Sequence, residues 1–364
     1  MKVKIFHTGD IHIGMKFSKY NNIKDLLIDA RFKALENMIE KANDLDTNLF
    51  VVAGDLFNNL KVAQKDIKKA IEILDRFSGE EVIIIPGNHD YDNGETELWQ
   101  YFNKQDIKNI KVLNKNIPYY LENLDTVIYP ACCKNKHSEE NNINWIKENG
   151  LEENIKYHIG LAHGAIEGLS ADLEGKYYFM TMNELDEIPV DLWLIGHTHV
   201  RYPLVDEIND NKIFNAGTPE PDGLNYKGEG SAWYIELDED TNYAKKVDVG
   251  NYRFFDLNYE IKSVEDLEKI KKDILGENSK RNIVRLNLSG NMPKEDYDNM
   301  PKFYDEIREQ LRELIIEDSE LKPNIDMKTI NQEFTKGSFP HEFLSELIDD
   351  EDALQIAYEI IRRD

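Results

Sequence analysis

Cysteine, long apolar runs and positive charge are what this sequence has little of, and each shortage narrows the possibilities. Two cysteines in 364 residues, the adjacent Cys132 and Cys133, give no disulfide framework, which fits a reducing compartment. They are expected to pack near a strand end. No run approaches the ~20 apolar residues of a membrane span, and Asp10 arrives before a signal-peptide core can develop. A cytoplasmic protein with no membrane segment is the expectation. Lys and Arg number 44 against 70 Asp and Glu, a formal net charge of -26. Nucleic-acid binding is driven by cationic groups that displace counterions, so such a chain should bind DNA weakly by itself and less at high salt. Local patches can outweigh the total. The length leaves room for a large core and more than one domain.

What the chain does contain is a series of short apolar runs, each ending in a metal-binding side chain. They are HTGDIH at 7–12, VVAGD at 51–55, IIIPGNHD at 83–90, GLAHG at 160–164 and LIGHTH at 194–199. Val3 to Phe6, Leu49 to Val52, Val82 to Ile85, His158 to Leu161 and Leu192 to Ile195 read as strands buried on both faces. Between the first three lie helical patterns, Ile23, Leu27, Ala30, Leu35, Met38, Ile39 and Ala42, then Ile67, Ala70, Ile71 and Leu74. Strand alternating with helix predicts an α/β fold with largely parallel strands. Loops beyond the carboxyl ends of such strands line the ligand crevice, so side chains far apart in sequence can converge there. Gly9, Gly54, Gly87 and Gly196 permit close backbone approach beside them.

The convergent set is Asp10, His12, Asp55, Asn88, His163, His197 and His199. Imidazole suits transition metals and carboxylate or amide oxygen suits harder ions, so a mixed set without thiolate favours Mn, Fe or Zn over Mg or Ca alone. Seven ligands are enough for two divalent cations, and two ions roughly 3.5–4 Å apart can drive in-line hydrolysis of a phosphoester. A single Asp-x-His or one buried histidine would mean little; five pieces in order carry the reading. His7, His137, His158 and His341 fall outside these positions and are not expected to be ligands.

The motifs resemble those of the calcineurin-like metallophosphoesterases, whose signature is D-x-H, GD, GNH(D/E), a lone H and GHxH. HTGDIHIG at 7–14 and AGDLF at 53–57 are similar to the SbcD-like nucleases of DNA double-strand-break repair, which partner an ABC-type ATPase. The resemblance implies a layered core of two mixed β-sheets flanked by helices over residues 1–240. A small α/β cap would touch DNA at 251–318, and a linker with a C-terminal helical hairpin for the ATPase would span 319–364. Asp10, His12 and His199 would hold one ion, Asp55 would bridge, and Asn88, His163 and His197 would hold the other, with Mn2+ as the expected metal. His89 would face the substrate as the catalytic residue outside the metal shell, with Asp90 accepting its ring N–H. These nucleases often carry a second histidine three residues after the bridging Asp; here the position is Asn58, which can bond a phosphate but cannot relay a proton. A loop residue is the plainer explanation of Asn58.

Phe254 to Ile261 reads as a strand, Val264 to Leu275 as a helix and Asn282 to Leu288 as a strand, the expected cap. Residues 251–294 hold nine Lys and Arg against seven Asp and Glu, a local +2, and Lys280, Arg281 and Arg285 are the candidate phosphate contacts. A solvated charged surface explains them as well. A helix is expected from Tyr297 to Glu317 on the spacing of Phe303, Ile307, Leu311, Leu314 and Ile315. Lys322-Pro323 would end it, and a polar linker would run through Gly337. Two short amphipathic helices follow, Pro340 to Ile348 and Asp352 to Arg363. Their apolar residues, among them Phe343, Leu344, Leu347, Leu354, Tyr358 and Ile361, want another surface, either the chain's own core or, as the resemblance implies, the ATPase partner. TELWQYF at 96–102 begins with a helix-capping Thr and sets Leu98, Trp99 and Phe102 on one stripe. The resemblance implies a homodimer through this region, and core packing accounts for the same stripe. Two rivals stand beside a DNA nuclease: another phosphoesterase, such as a protein phosphatase or cyclic nucleotide phosphodiesterase, and a non-catalytic scaffold.

Overall fold

A computed structural model describes residues 2–105, 107–170, 175–226 and 228–362. The chain forms two compact units, one of residues 1–222 with 228–253 and one of residues 223–227 with 254–364.

In the first unit strand and helix alternate as the apolar periodicity predicts. The order is β1 (Val3–Thr8), α1 (Lys24–Asp44), β2 (Leu49–Ala53), α2 (Gln64–Leu74), β3 (Glu81–Ile85), α3 (Glu97–Asn103) and β4 (Ile110–Val112). There follow β5 (Tyr119–Leu121), β6 (Thr126–Ala131), α4 (Asn144–Asn149), β7 (Tyr157–His163), α5 (Met182–Glu187) and β8 (Leu192–Gly196). Then come β9 (Glu207–Asn209), β10 (Ile213–Asn215), β11 (Ser231–Leu237) and β12 (Asn242–Asp248). They build two mixed sheets, β4-β3-β2-β1-β11-β12-β9 and β10-β8-β7-β6-β5. Neighbours among β1 to β4 are parallel, as are β6, β7, β8 and β10, while β11 returns antiparallel to β1.

The strands are apolar on both faces because both faces are covered. Val3, Ile5, Leu49, Val51, Ile83 and Ile85 of the first sheet pack against Ile128, Ile159, Leu161, Leu192, Leu194 and Phe214 of the second. Phe6, Phe50, Val52 and Ile84 turn the other way, onto Phe32, Leu35, Met38 and Ile39 of α1 and Ile67, Ala70 and Ile71 of α2. Val127, Tyr129, Trp193 and Ile195 cover the outer face of the second sheet with Ile146 of α4 and Leu185 of α5. Helix, sheet, sheet, helix is the layer order, and all the motif strands run parallel, so their carboxyl ends open on one edge.

The expectation for residues 96–102 is corrected here. Leu98, Trp99 and Phe102 are buried in the core of this unit and form no exposed surface. The Thr96 hydroxyl does not cap α3; it lies 3.1 Å from Asn93 Oδ1 and 3.3 Å from the Tyr91 carbonyl.

The second unit contains β13 (Arg253–Ile261), α6 (Val264–Ile274), β14 (Asn282–Pro293), α7 (Lys294–Asp298), α8 (Met300–Arg308) and β15 (Glu313–Asn324), with strand order β13-β14-β15. The helix expected from Tyr297 to Glu317 stops at Arg308. Leu314 and Ile315 lie in β15, parallel to β14, with Ile315 opposite Arg285. Their spacing suits either period, and β-branched Ile315 and Ile316 complete an edge strand that a continued helix would leave unpaired. Pro323 does not end a helix but sits near the end of this edge strand, where a missing N–H is tolerated.

The expected linker contains α9 (Met327–Glu333), and α10 (Phe339–Glu346) and α11 (Glu351–Ile361) follow, capped by Ser338 and Asp350. Arg363, the expected last helical residue, lies outside the described residues. These helices share a small core of Ile330, Leu344, Leu354, Ala357 and Tyr358, with Leu347 and Ile361 packed against it. Of the six apolar residues named for a partner, only Phe343 is exposed. The apolar surface is instead Phe339, Phe343, Ile356 and Ile360, exposed by 76%, 41%, 61% and 60%. Among the described residues no helix is long and apolar enough to cross a membrane.

Candidate metal centre

Asp10 and His12 follow β1, Asp55 follows β2, Asn88 and His89 follow β3, His163 ends β7, and His197 and His199 follow β8. All seven expected ligands come together where these strands end. His12 Nε2 faces His199 Nε2 at 3.1 Å, and Asp10 Oδ1 is 3.8 Å from each. Asn88 Oδ1 is 3.0 Å from His163 Nε2 and 3.1 Å from His197 Nδ1. Asp55 Oδ2 lies between the two groups, 3.7 Å from His12 Nε2 and 3.5 Å from His163 Nε2.

This arrangement fits divalent cations. Asp10 Oδ1, buried beside the facing nitrogens of His12 and His199, has no hydrogen-bond partner among the described residues. The donors are oxygen and imidazole nitrogen, matching the preference of borderline and hard ions. Bound there, divalent ions supply neutralising charge to phosphoryl oxygens and acidify a water.

The rings are oriented from behind. His163 Nδ1–H donates to the Ala53 carbonyl at 2.8 Å, which leaves Nε2 for the centre. Gly54 makes this possible: it has φ +83°, and a Cβ there would collide with His163 Nδ1. His199 Nδ1 lies 3.1 Å from Asp222 Oδ2, a partner the motifs did not reveal. Asp10, His12, Asp55 and His197 all have positive φ, between 52° and 104°. Non-glycine residues rarely adopt this conformation, and it concentrates at functional sites.

Charge and burial oppose each other here. Burial disfavours a proton on His163, yet the neighbouring Asp55 carboxylate prevails and pushes its pKa up to about 9. Burial likewise works against ionised Asp55, but His163 holds it below the usual carboxylate range. His197 is driven down to about 3 by burial and by positive His163. Burial raises Asp10; at Asp222 burial is the largest influence and also raises, but the hydrogen bond and charge of His199, with Arg31 and His12, together take it down to about 2.

His89 lies beside this centre, its ring edge-on to His12 with centroids 4.9 Å apart. Its backbone N–H donates to Asp55 Oδ1 at 2.8 Å. The expected Asp90 partner is corrected: Asp90 is fully buried, accepts from Gly87 N–H and Phe57 N–H, and is pushed up to about 8 by burial and by Asp55. The ring of His89 is oriented by the backbone carbonyl of Asn58, 3.1 Å from Nδ1. Trp99 donates its indole N–H to the Asp90 carbonyl, so the stripe at 96–102 buttresses the His89 loop.

His7, His158 and His341 stay outside the set. His7 is buried in β1, His158 meets the Tyr129 hydroxyl at 2.9 Å, and His341 meets Asn331 Oδ1 at 3.0 Å. His137 packs on Tyr177, whose ring in turn stacks on His197 with centroids 5.2 Å apart, an aromatic wall the motifs did not predict. Cys132 and Cys133 are buried after β6, as expected.

In the second unit the basic trio is engaged with its own chain. Asp256 binds Arg285 through both Nε and Nη2, and Lys280 donates to the Glu309 carbonyl. Arg285 is therefore paired with an acid, while the local +2, which already counts Asp256, is unchanged.

Residues 3–201 match the family model described as calcineurin-like phosphoesterase. The DNA double-strand break repair protein Mre11 of Archaeoglobus fulgidus is 24% identical over 311 residues, 79% of this chain and 68% of that protein. Among solved structures, TT1561 of Thermus thermophilus aligns at a TM-score of 0.42 and 10% identity, over 68% of this chain and 100% of its own. The calcineurin-like phosphoesterase YfkN of Bacillus subtilis aligns at 0.41 and 15%, over 68% and 91%. The family match spans every expected ligand from Asp10 to His199, which the fold gathers at one edge of its paired sheets, and the chain belongs to the calcineurin-like phosphoesterases.

Proposed function

We propose that this chain is a metal-dependent DNA nuclease that hydrolyses phosphodiester bonds at or near DNA ends, working in the cytoplasm with an ABC-type ATPase in double-strand-break repair. The observation that carries the reading is the pair of ligand groups sharing Asp55 Oδ2, with His89 beside them. The similarity to the archaeal repair protein supports DNA as substrate. Asp10, His12 and His199 hold one ion, Asn88, His163 and His197 the other, and the mixed donors favour Mn2+. Nδ1–H is given to the Asn58 carbonyl, so Nε2 of His89 is left for the reaction, and in the imidazolium form, which carries a second proton there, it can protonate the leaving oxygen.

The exposed Phe339, Phe343, Ile356 and Ile360 form the docking face for the ATPase partner. Any self-association uses a surface other than Leu98, Trp99 and Phe102. Lys280, Arg281 and Arg285 reach DNA only if phosphate displaces their present partners.

The test is hydrolysis of end-labelled duplex DNA, single-stranded DNA and a small phosphodiester, with Mn2+ and with chelator. Mn2+-dependent DNA cleavage is expected, falling about 10²–10⁴-fold in His89→Ala with metal content unchanged. Cleavage of the small ester alone, even with the ATPase present, overturns the nuclease reading in favour of another phosphoesterase. Two bound ions without hydrolysis favour the scaffold.

A further inference from the structure

Two side chains outside the ligand set make their hydrogen bonds under one half of the centre, which meets the other half at Asp10 Oδ2, the acceptor of the His197 backbone N–H at 2.9 Å. Arg31 stands on the buried face of α1, among Leu27, Ala30, Ala34 and Leu35, and is 1% exposed. Its Nη1 donates to the Ile11 carbonyl at 3.1 Å and to Thr218 Oγ1 at 3.4 Å. Nη2 lies 3.7 Å from Met15 Sδ, and the Phe17 ring centroid is 5.5 Å away. Nε has no hydrogen-bond partner among the described residues. Asp222, Glu220 and Asp10 are the acids that act on it electrostatically. Burying a guanidinium with an idle N–H is costly, and apolar replacements at such positions are often neutral or stabilising. Stability alone gives no reason for an arginine here.

Its hydrogen bonds supply one. Ile11 stands between Asp10 and His12, whose φ values are 52° and 53°. Two left-handed residues flanking a single residue store about 1–3 kcal/mol each, and such a turn persists only where its surroundings over-determine it. The N–H groups of the turn are held by the Gly54 and Asp55 carbonyls, at 3.1 and 3.0 Å. Its carbonyls are held from the other side, Ile11 by Arg31 and Asp10 by the Thr218 hydroxyl at 3.0 Å. The same hydroxyl lies 2.9 Å from the Glu220 carbonyl. Thr218 also donates its backbone N–H to the His199 carbonyl at 3.1 Å. Arg31 and Thr218 thereby tie the turn carrying Asp10 and His12 to the loop carrying His199. Among the described residues, no hydrogen bond of either reaches Asn88, His163 or His197.

We propose that Arg31 and Thr218 form a clasp that positions Asp10, His12 and His199, and so sets the affinity of one metal ion independently of the other. This rests on the two-ion reading above, not on DNA as the substrate. Both are positioning residues; neither points an atom at the metal-facing donors.

The test is Mn2+ binding to the full chain, by calorimetry and by counting free Mn2+ with electron paramagnetic resonance. Wild type should bind two ions. Arg31→Met should weaken one about tenfold or more, the size expected for a lost outer partner, and leave the other unchanged. Arg31→Lys, which keeps a donor and the charge, should recover part of the loss. Placed in a His199→Ala chain, already deprived of that ion, Arg31→Met should change nothing further. Thr218→Val removes one hydroxyl and repeats the selective loss, which keeps the test alive should Arg31→Met fail to fold. Equal weakening of both ions, or of neither, overturns the clasp. A wild-type chain that binds a single ion overturns it together with the two-ion reading. Absence of DNA cleavage would refute the nuclease and leave this binding result standing.

Discussion

Asp222 is the neighbour of the centre whose removal makes the sharpest prediction. Its Oδ2 is 3.1 Å from His199 Nδ1, and its side chain is 28% exposed, so solvent screens it only in part. Against a large cost of burial its carboxyl falls to about 2, drawn down by the hydrogen bond and charge of His199 together with Arg31 and His12. A drop of that size corresponds to about 2 kcal/mol of preferential attraction. An outer carboxylate behind a metal-bound histidine is worth about 10–100-fold in metal affinity, the same range reached from a different direction. Asp222→Asn keeps an acceptor for the His199 ring and loses the charge, so about a tenfold loss is expected. Asp222→Ala leaves Nδ1 without its partner and should approach a hundredfold. Calorimetric Mn2+ titration measures both, and only the ion held by Asp10, His12 and His199 should respond. Unchanged affinity in Asp222→Ala, or equal losses at both ions, would refute the claim that His199 depends on this carboxylate.

His163, pushed up to about 9, carries a proton at neutral pH that an incoming ion must displace. Metal affinity should therefore rise as pH climbs toward about 9 and level off above it; a binding heat that does not vary with the ionisation heat of the buffer would contradict this. Gly54→Ala forces a left-handed alanine, costing about 1–2 kcal/mol, and breaks the His163 bond to Ala53, about 0.5–1.5 kcal/mol more. A denaturation midpoint within error of wild type would count against that clash. Trp99→Ala should cost about 3–5 kcal/mol of stability without changing the mass seen in size exclusion, whereas dissociation of an oligomer at unchanged stability would return this stripe to the surface.

The centre was legible because its chemistry lies at the ends of strands that read as apolar runs, and parallel topology carries those ends to one edge. What escaped were partners supplied by the main chain or by loops. The Asn58 carbonyl orients His89 in a way no side-chain identity encodes. Asp222 sits in PEPDG, a sequence that spells a turn. Arg31 left a trace, a charge on the apolar stripe of α1 between Ala30 and Leu35, which periodicity alone treats as noise. Leu314 and Ile315 misled because their spacing suits a helix, and the unpaired edge of β14 decided otherwise. At α10 and α11 the amphipathic pattern was correct, but which apolar residues face the helices' own core depends on a partner surface from α9.

The seven proposed ligands divide between the two facing sheets, four on the first and three on the second. During synthesis Asp10, His12, Asp55 and Asn88 emerge long before His163, His197 and His199. The strand that pairs with the open flank of β1, Ser231–Leu237, comes later still. A nascent or half-unfolded chain holds only fragments of a centre. The complete donor set exists only once residues from both sheets have been made and brought together.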